Sequence, residues 1–324
     1  MSLENVRRLN NSKFMVSFPN DEEGFVGREC PEASCLGYFK IQLGTGLKGE
    51  NLPCHCPYCG FSAGQDKFFT QEQIEYAKSV ALRKLSEALV KDLKSSFERI
   101  EVKPRGLFGI GLKFTVEGKL QPLKYYRERQ LETEVICEHC TLRYAIYGVF
   151  AFCPDCGEHN SLQILEKNLD LCLKEVELAE HSGDPALAAH LIPNAMEDAV
   201  SAFDGFGREV CRVYAERIGD SSKAKQLSFQ NLMGVRDGIR MHWGFDFSAS
   251  LTPDEWQFAC RCFQKRHLLA HKMGIVDEAY LRNTADPTAT VGRKISIKPE
   301  EVKSLVAILR SLGIALSNGL RTSA

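Results

Sequence analysis

The sequence predicts an α+β protein. Two small cysteine-built β modules, with a long helix and a small sheet between them, precede an all-α bundle. Three observations predict this. Eight of the 13 cysteines fall into two sets of four within the first 160 positions, as paired hooks suited to a hairpin. Ile110, Leu112, Phe114 and Val116 alternate with polar residues, the period of a half-buried strand. Beyond residue 185 the apolar residues recur at three- and four-residue spacing between helix-start and helix-stop signals.

The elements follow in chain order. Residues 1–68 form the first cysteine module and residues 69–132 a long helix plus a small β region. Thr70-Gln71-Glu72-Gln73 opens that helix with a capping box, and its apolar stripe runs through Ile74, Ala77, Ala81, Leu85, Leu89 and Phe97 before Pro104. Residues 133–160 form the second cysteine module. Residues 161–183 are a linker helix, about Leu162 to His181, which ends at the turn cluster Ser182-Gly183-Asp184-Pro185. Residues 184–324 are the helical domain, with helices from about Pro185 to Ile218, from Pro253 to Gly274, and from Pro299 to about Leu316. No internal repeat or low-complexity segment is read.

Each cysteine set presents four thiolates to one tetrahedral ion. The second has Cys137-Glu-His-Cys140, twelve residues, then Cys153-Pro-Asp-Cys156-Gly, with strands on either side of Gly148, and it resembles a zinc ribbon. The first has a wider hook, Cys30-Pro-Glu-Ala-Ser-Cys35, a spacer of twenty, then Cys56-Pro-Tyr-Cys59-Gly. It too resembles a zinc ribbon. Cys54 and His55 are spare donors there, with Cys54 the substitute for one of Cys30, Cys35, Cys56 and Cys59. Two structural Zn²⁺ ions are expected, and no catalytic metal. Disulfides would need an oxidising compartment, which nothing in the sequence supports. Cys172, Cys211, Cys260 and Cys262 lie in helical stretches and read as small core residues.

Between the modules, Lys103, Arg105, Lys113, Lys119, Lys124, Arg127 and Arg129 interleave with Phe108, Phe114, Tyr125 and Tyr126. Cations and rings on strands can hold phosphates and stack bases. Arg105, Lys113, Tyr125, Tyr126 and Arg127 are the candidates for nucleic-acid binding, against the plainer reading as the wet face of a sheet. The chain as a whole has a formal charge of −1, so it is no polycation, and nucleic-acid contact must come from such local patches. The polar start and the absence of a long apolar run predict a cytoplasmic protein with no membrane partner.

The most informative segment is Arg266-His267-Leu268-Leu269-Ala270-His271, continuing into Gly274-Ile275-Val276-Asp277 and Tyr280. Thr252-Pro253-Asp254-Glu255 opens its helix, and Trp256, Cys260, Phe263, His267 and Ala270 fall on one stripe, which points His267 inward. A core helix does not absorb a cation and two imidazoles together, because burying them unpaired costs several kcal/mol each. Arg and His are also the pair that metal-free phosphodiester chemistry needs: one holds the phosphate, the other moves protons near neutral pH. The bare Arg-to-His spacing recurs at Arg236 to His242 and Arg261 to His267, so the longer string decides.

That string resembles the signature helix of the HEPN superfamily, over about Pro185 to Leu320. The resemblance implies a helical bundle, a metal-independent endoribonuclease leaving 2′,3′-cyclic phosphate ends, a homodimer, and often a role in antiviral defence or stress. Carried over, Arg266 binds the scissile phosphate, His271 transfers protons, and His267 takes the family's polar second position. Arg266 and His271 lie about 140° apart around a straight helix, so a dimer would ease their convergence and supply both base and acid. His267 and His271 also have the spacing of zinc peptidases, but Leu268 stands where those enzymes need Glu. The expected partners are RNA and a second copy, with the ribbons recognising nucleic acid or a protein. The alternative is a non-catalytic regulator whose ribbons bind nucleic acid or protein and whose helical domain only dimerises.

Overall fold

The computed structural model describes residues 3–10, 15–49, 52–98, 116, 118–131, 133–215, 222 and 226–322. The chain is α+β and divides into two compact units, Met1–Glu158 and His159–Ala324. The unit boundary therefore falls before the helix expected as a linker, not after it. Among the described residues no helix is long and apolar enough to cross a membrane.

In the first unit, helix α1 (Glu4–Asn10) is followed by strands β1 (Phe25–Glu29), β2 (Tyr38–Gln42), β3 (Pro53–His55) and β4 (Ser62–Gly64). Helix α2 (Gln71–Glu98) and strands β5 (Thr133–Ile136) and β6 (Arg143–Ile146) complete it. The two cysteine modules do not form separate ribbons. Their hairpins join edge to edge in one antiparallel sheet of order β1-β2-β6-β5, with Lys40 opposite Ala145 and Ile41 opposite Tyr144. Their shared core packs Phe39, Phe68, Tyr144 and Ile146 against the buried cysteines. The two modules, read from the sequence as separate ribbons, thus share one sheet, and a short motif recurs in them. His55-Cys-Pro-Tyr-Cys-Gly60 and Phe152-Cys-Pro-Asp-Cys-Gly157 are the same turn used twice.

Helix α2 begins as read: Gln73 N–H donates to Thr70 Oγ1 at 3.1 Å and Thr70 N–H to Gln73 Oε1 at 3.2 Å. Its buried face is not the apolar stripe. Gln73, Ser79, Ala88 and Asp92 are buried, whereas Ile74, Leu85 and Leu89 are exposed among the described residues. The reason is polar anchoring. Asp92 accepts from the N–H groups of Asn5 and Val6 at the start of α1, and Ser79 Oγ accepts from Lys124 N–H at 3.1 Å. Residues 118–131 carry no strand, and the expected strand from Ile110 lies outside the described residues apart from Val116.

The second unit is helical: α3 (Ser161–His181), α4 (Pro185–Tyr214), α5 (Leu232–Trp243), α6 (Pro253–Lys272), α7 (Glu278–Thr284) and α8 (Pro299–Thr322). Its core gathers apolar residues of α3, α4, α5, α6 and α8, among them Leu169, Val200, Phe203, Phe206, Ile239, Phe263 and Leu309. Helix α3 packs on α4 and α8, which makes it part of this core rather than a tether. Asp184 caps α4 by accepting from Ala186 N–H at 2.8 Å, with Pro185 in the first turn. The helix is described only to Tyr214, short of the expected Ile218.

Within this unit Glu209 pairs with Arg212 at 2.6 Å and with His159 at 3.5 Å, and only 14% of its side chain is exposed. Burial alone would raise its pKa. Arg212 and His159 outweigh that and hold the carboxyl at about 2, below its ordinary 4.5. A carboxylate depressed in the folded state stabilises above its unfolded pKa and loses that contribution as pH falls through the folded value. Stability against thermal unfolding should therefore fall as pH drops from about 4.5 to about 2. Glu209→Gln should flatten that slope and lower stability near neutrality by about 2–3 kcal/mol; an unchanged slope would assign acid sensitivity to other carboxylates.

Candidate functional site

The first unit brings together two sulfur quartets, Cys30-Cys35-Cys56-Cys59 and Cys137-Cys140-Cys153-Cys156, each with all sulfurs within 4.8 Å of one another. Closest approaches are 3.7 Å for Cys30 to Cys59, Cys35 to Cys56 and Cys137 to Cys156, and 3.4 Å for Cys140 to Cys153. Disulfide sulfurs would be about 2.05 Å apart. Four thiolates bonded at about 2.3 Å to a central tetrahedral ion stand about 3.8 Å apart, so the quartets fit a metal ion.

The backbone explains the fit. Gly60 N–H donates to Cys56 O, Thr141 N–H to Cys137 O and Gly157 N–H to Cys153 O, at 2.8 to 3.0 Å, each closing a turn around two cysteines. The closing residue is left-handed in every case, with φ of 73°, 65° and 70°. The wider first hook keeps the same turn by shifting its start: Leu36, at φ 49°, donates to Glu32 O. The two extra residues are absorbed before the turn. Cys54 lies outside the quartet on β3, opposite Ala63, and burial pushes its thiol up to about 12. Cys172, Cys211 and Cys262 are buried within the helical core.

The electrostatics of the second quartet call for a cation. A hydrogen bond with Cys153 is the main cause that holds Cys137 down at about 4, and the same contact with burial pushes Cys153 far above the thiol range. Burial first, then the hydrogen bond with Cys137 and its charge, raise Cys140 to about 12. A divalent ion at the centre would favour the ionised form of all four sulfurs.

Part of the expected nucleic-acid patch is engaged within the unit. Lys124 pairs with Glu75 at 3.1 Å and Arg129 with Glu72 at 3.4 Å, both carboxylates on α2. Tyr76 of α2 contacts the rings of Tyr125 at 6.2 Å and Tyr126 at 5.8 Å. Tyr125 and Arg127 are exposed, and Arg105 and Lys113 lie outside the described residues.

In the second unit α6 runs unbroken past Arg266, His267 and His271. Its capping box is formed by Thr252 and Glu255, and Met273 ends it with a φ of 51°. The buried face is Ala259, Cys262, Phe263, Lys265 and Leu268, so the stripe that would turn His267 inward is rotated. His267 and His271 are exposed, with ring centroids 4.8 Å apart. The rotation is set by Lys265, buried against Glu301 at 2.6 Å and Ser296 O at 3.1 Å.

His267 lines a cleft of about 580 Å³ with Ser228, Gln230, Asn231, Met233, Cys260, Phe263, Gln264 and Asn283; His271 is not among the lining residues. Arg266 Nη1 donates to Gln230 Oε1 at 3.2 Å, and Gln230 Nε2 donates to Asp204 Oδ2 at 3.2 Å. Asp204, on α4, is buried and also accepts from Phe229 N–H at 2.7 Å and from Arg208 at 3.1 Å. A buried carboxylate thus orients the amide that orients Arg266. Sequence reading missed Asp204 and Gln230, although a signal existed: Asp204 interrupts the buried stripe of Val200, Gly207 and Cys211.

The residues after the helix are occupied structurally. Val276 and Tyr280 join Leu268 and Ile295 in a small satellite core, and Asp277 caps α7 by accepting from Tyr280 N–H at 2.8 Å. Under the site, a Cβ added at Gly207 would stand 2.4 Å from the Phe229 ring. Gly207→Ala should therefore lower stability by about 1–3 kcal/mol in urea unfolding and displace the Phe229–Gln230 segment. Comparison with protein-family models, curated proteins and solved structures finds no match to this chain.

Proposed function

We propose that the second unit is a metal-independent endoribonuclease of the HEPN type. The observation that carries the reading is Arg266, oriented by Gln230 and Asp204, next to an imidazole at the rim of a polar cleft. Arg266 would hold the scissile phosphate and spread the charge of its transition state. The RNA 2′-oxygen attacks phosphorus and the bond to the 5′-oxygen breaks. The 2′-hydroxyl proton goes to an imidazole acting as base, and the leaving 5′-oxygen takes a proton from an imidazolium acting as acid. Products are a 2′,3′-cyclic phosphate and a 5′-hydroxyl. His271 and His267 are the candidates for the two roles, and a homodimer would supply two His271 side chains to one site.

In the same reading both sulfur quartets hold Zn²⁺, which suits four thiolates in a closed tetrahedron. Such sites are structural, so the first unit recognises nucleic acid or a protein partner rather than doing chemistry. A second reading rests on a specific observation. Arg266 and His271 project about 140° apart from an unbroken helix, which suits a regulator that binds RNA without cutting it. Incubating the protein with total RNA in magnesium-free buffer and mapping ends separates the two: cyclic-phosphate ends support the nuclease, and intact RNA bound by the protein supports the regulator.

A further inference from the structure

We infer that the cleft formed by α5, α6, α7 and the segment before α5 receives one unpaired nucleobase of an RNA strand, and that Gln264 and Asn283 select which base. The inference rests on the RNA reading above and names the substrate subsite of that same site.

The lining chemistry carries it. The cleft holds four carboxamides, Gln230, Asn231, Gln264 and Asn283, with one Ser and one His, and no carboxylate, Lys or Arg among its lining residues. A lining without counter-charge suits a neutral ligand with a polar edge. A carboxamide offers a donor and an acceptor side by side, which matches the edge of a base. Gln230 is committed at both ends, to Arg266 and to Asp204. Asn231 uses its oxygen to accept from Gly234 N–H at 3.1 Å at the start of α5, which leaves its amide N–H groups to donate. Gln264 and Asn283 have no side-chain hydrogen-bond partner among the described residues. Two amides among the lining residues therefore have no protein partner to give up before bonding a base.

The apolar remainder fits a ring. Met233, 47% exposed, and the half-buried Cys260 give an apolar surface against which a flat base can lie while its edge meets the amides, with Phe263 buried beneath. The volume of about 580 Å³ lies within the range of small-ligand sites. Gln264 and His267 are one turn apart on the same face of α6, and Arg266 adjoins them. A phosphate at Arg266 would then place its attached nucleoside over the amides.

The test measures binding of the four nucleoside 3′-monophosphates to the full-length protein by calorimetry, with ribose 5-phosphate as the baseless control. One nucleotide should bind about tenfold more tightly than the weakest, and Gln264→Ala and Asn283→Ala should each reduce that ratio below about threefold without changing ribose phosphate binding. Gln264→Glu keeps the size, removes the donor, and should shift preference towards bases that present amino groups. Equal binding of all four, no binding of any, or full discrimination in both alanine variants would overturn the inference. Discrimination without any RNA cleavage would sink the nuclease reading and leave this one standing. Cleavage with base preference unchanged in both variants would do the reverse.

Discussion

Cys153→Ser should release more than the one metal ion that its own quartet holds. The second quartet loses a ligand directly, and its remaining sulfurs, no longer neutralised, repel. The first quartet is then undermined through the backbone. His55 N–H donates to Pro154 O and Phe152 N–H donates to Pro57 O, both at 2.8 Å, so each module's second hook is held by the other's. The loops are exchanged in the same way: Leu47 N–H donates to Asp155 Oδ2 at 2.7 Å and Tyr147 N–H to Tyr58 OH at 3.0 Å. With β2 paired to β6 as well, losing the hook at Cys153 removes supports of the hook at Cys56. Elemental analysis should give about two ions per chain in the wild type and well under one in Cys153→Ser, with most of the eight quartet thiols becoming reactive. Cys211→Ser, in the helical core, should keep both ions. A clean drop to one ion, with the first quartet still protected from thiol reagents, would show that the modules load independently.

Both quartets were legible because the ligands come as hooks of nearby residues. The turn geometry that aims the sulfurs is written locally in Gly60 and Gly157. The fusion of the two modules was not legible, since strand pairing between residues more than a hundred apart leaves no local mark. A similar divide runs through the helices. Ends could be read, because Thr252 and Glu255 or Thr70 and Gln73 satisfy one another within a single turn. Buried faces could not always be read. Lys265 goes inside because Glu301 waits 36 residues away, and that choice turns His267 outward. On α2, Asp92 and Ser79 are buried by their bonds to Asn5 and Lys124 while the apolar stripe faces out.

The candidate site divides in the same way. Arg266, His267 and His271 stood out because charge in a core-like helix is costly. Asp204 and Gln230 did not, since their importance lies in a three-dimensional relay from α4 to α6. The relay also ranks the expected losses. On the proposed reading, removing Arg266 removes the phosphate ligand, whereas removing Gln230 leaves the guanidinium present but unguided.

Arg266→Ala should abolish RNA cleavage, by at least about a hundredfold, with the thermal melt unchanged, because loss of a transition-state charge partner costs that much or more. His271→Ala should do the same if it carries a proton in the rate-limiting step. Gln230→Ala should give a smaller loss, seen mainly in kcat, since it orients rather than contacts the phosphate. His267→Ala then discriminates between arrangements. His267 lines the cleft and His271 lies against it at 4.8 Å, so one chain offers two imidazoles for the base and the acid. If both act within a chain, His267→Ala should be as damaging as His271→Ala, and activity per chain should not change on dilution. If instead two His271 side chains meet across a two-fold axis, activity should fall steeply as the dimer dissociates. Adding an excess of His271→Ala chains to the wild type should then extinguish activity, because nearly every wild-type chain would be paired with a dead one. Activity that stays proportional to the wild-type chains present would exclude the shared site and leave His267 as the second proton carrier.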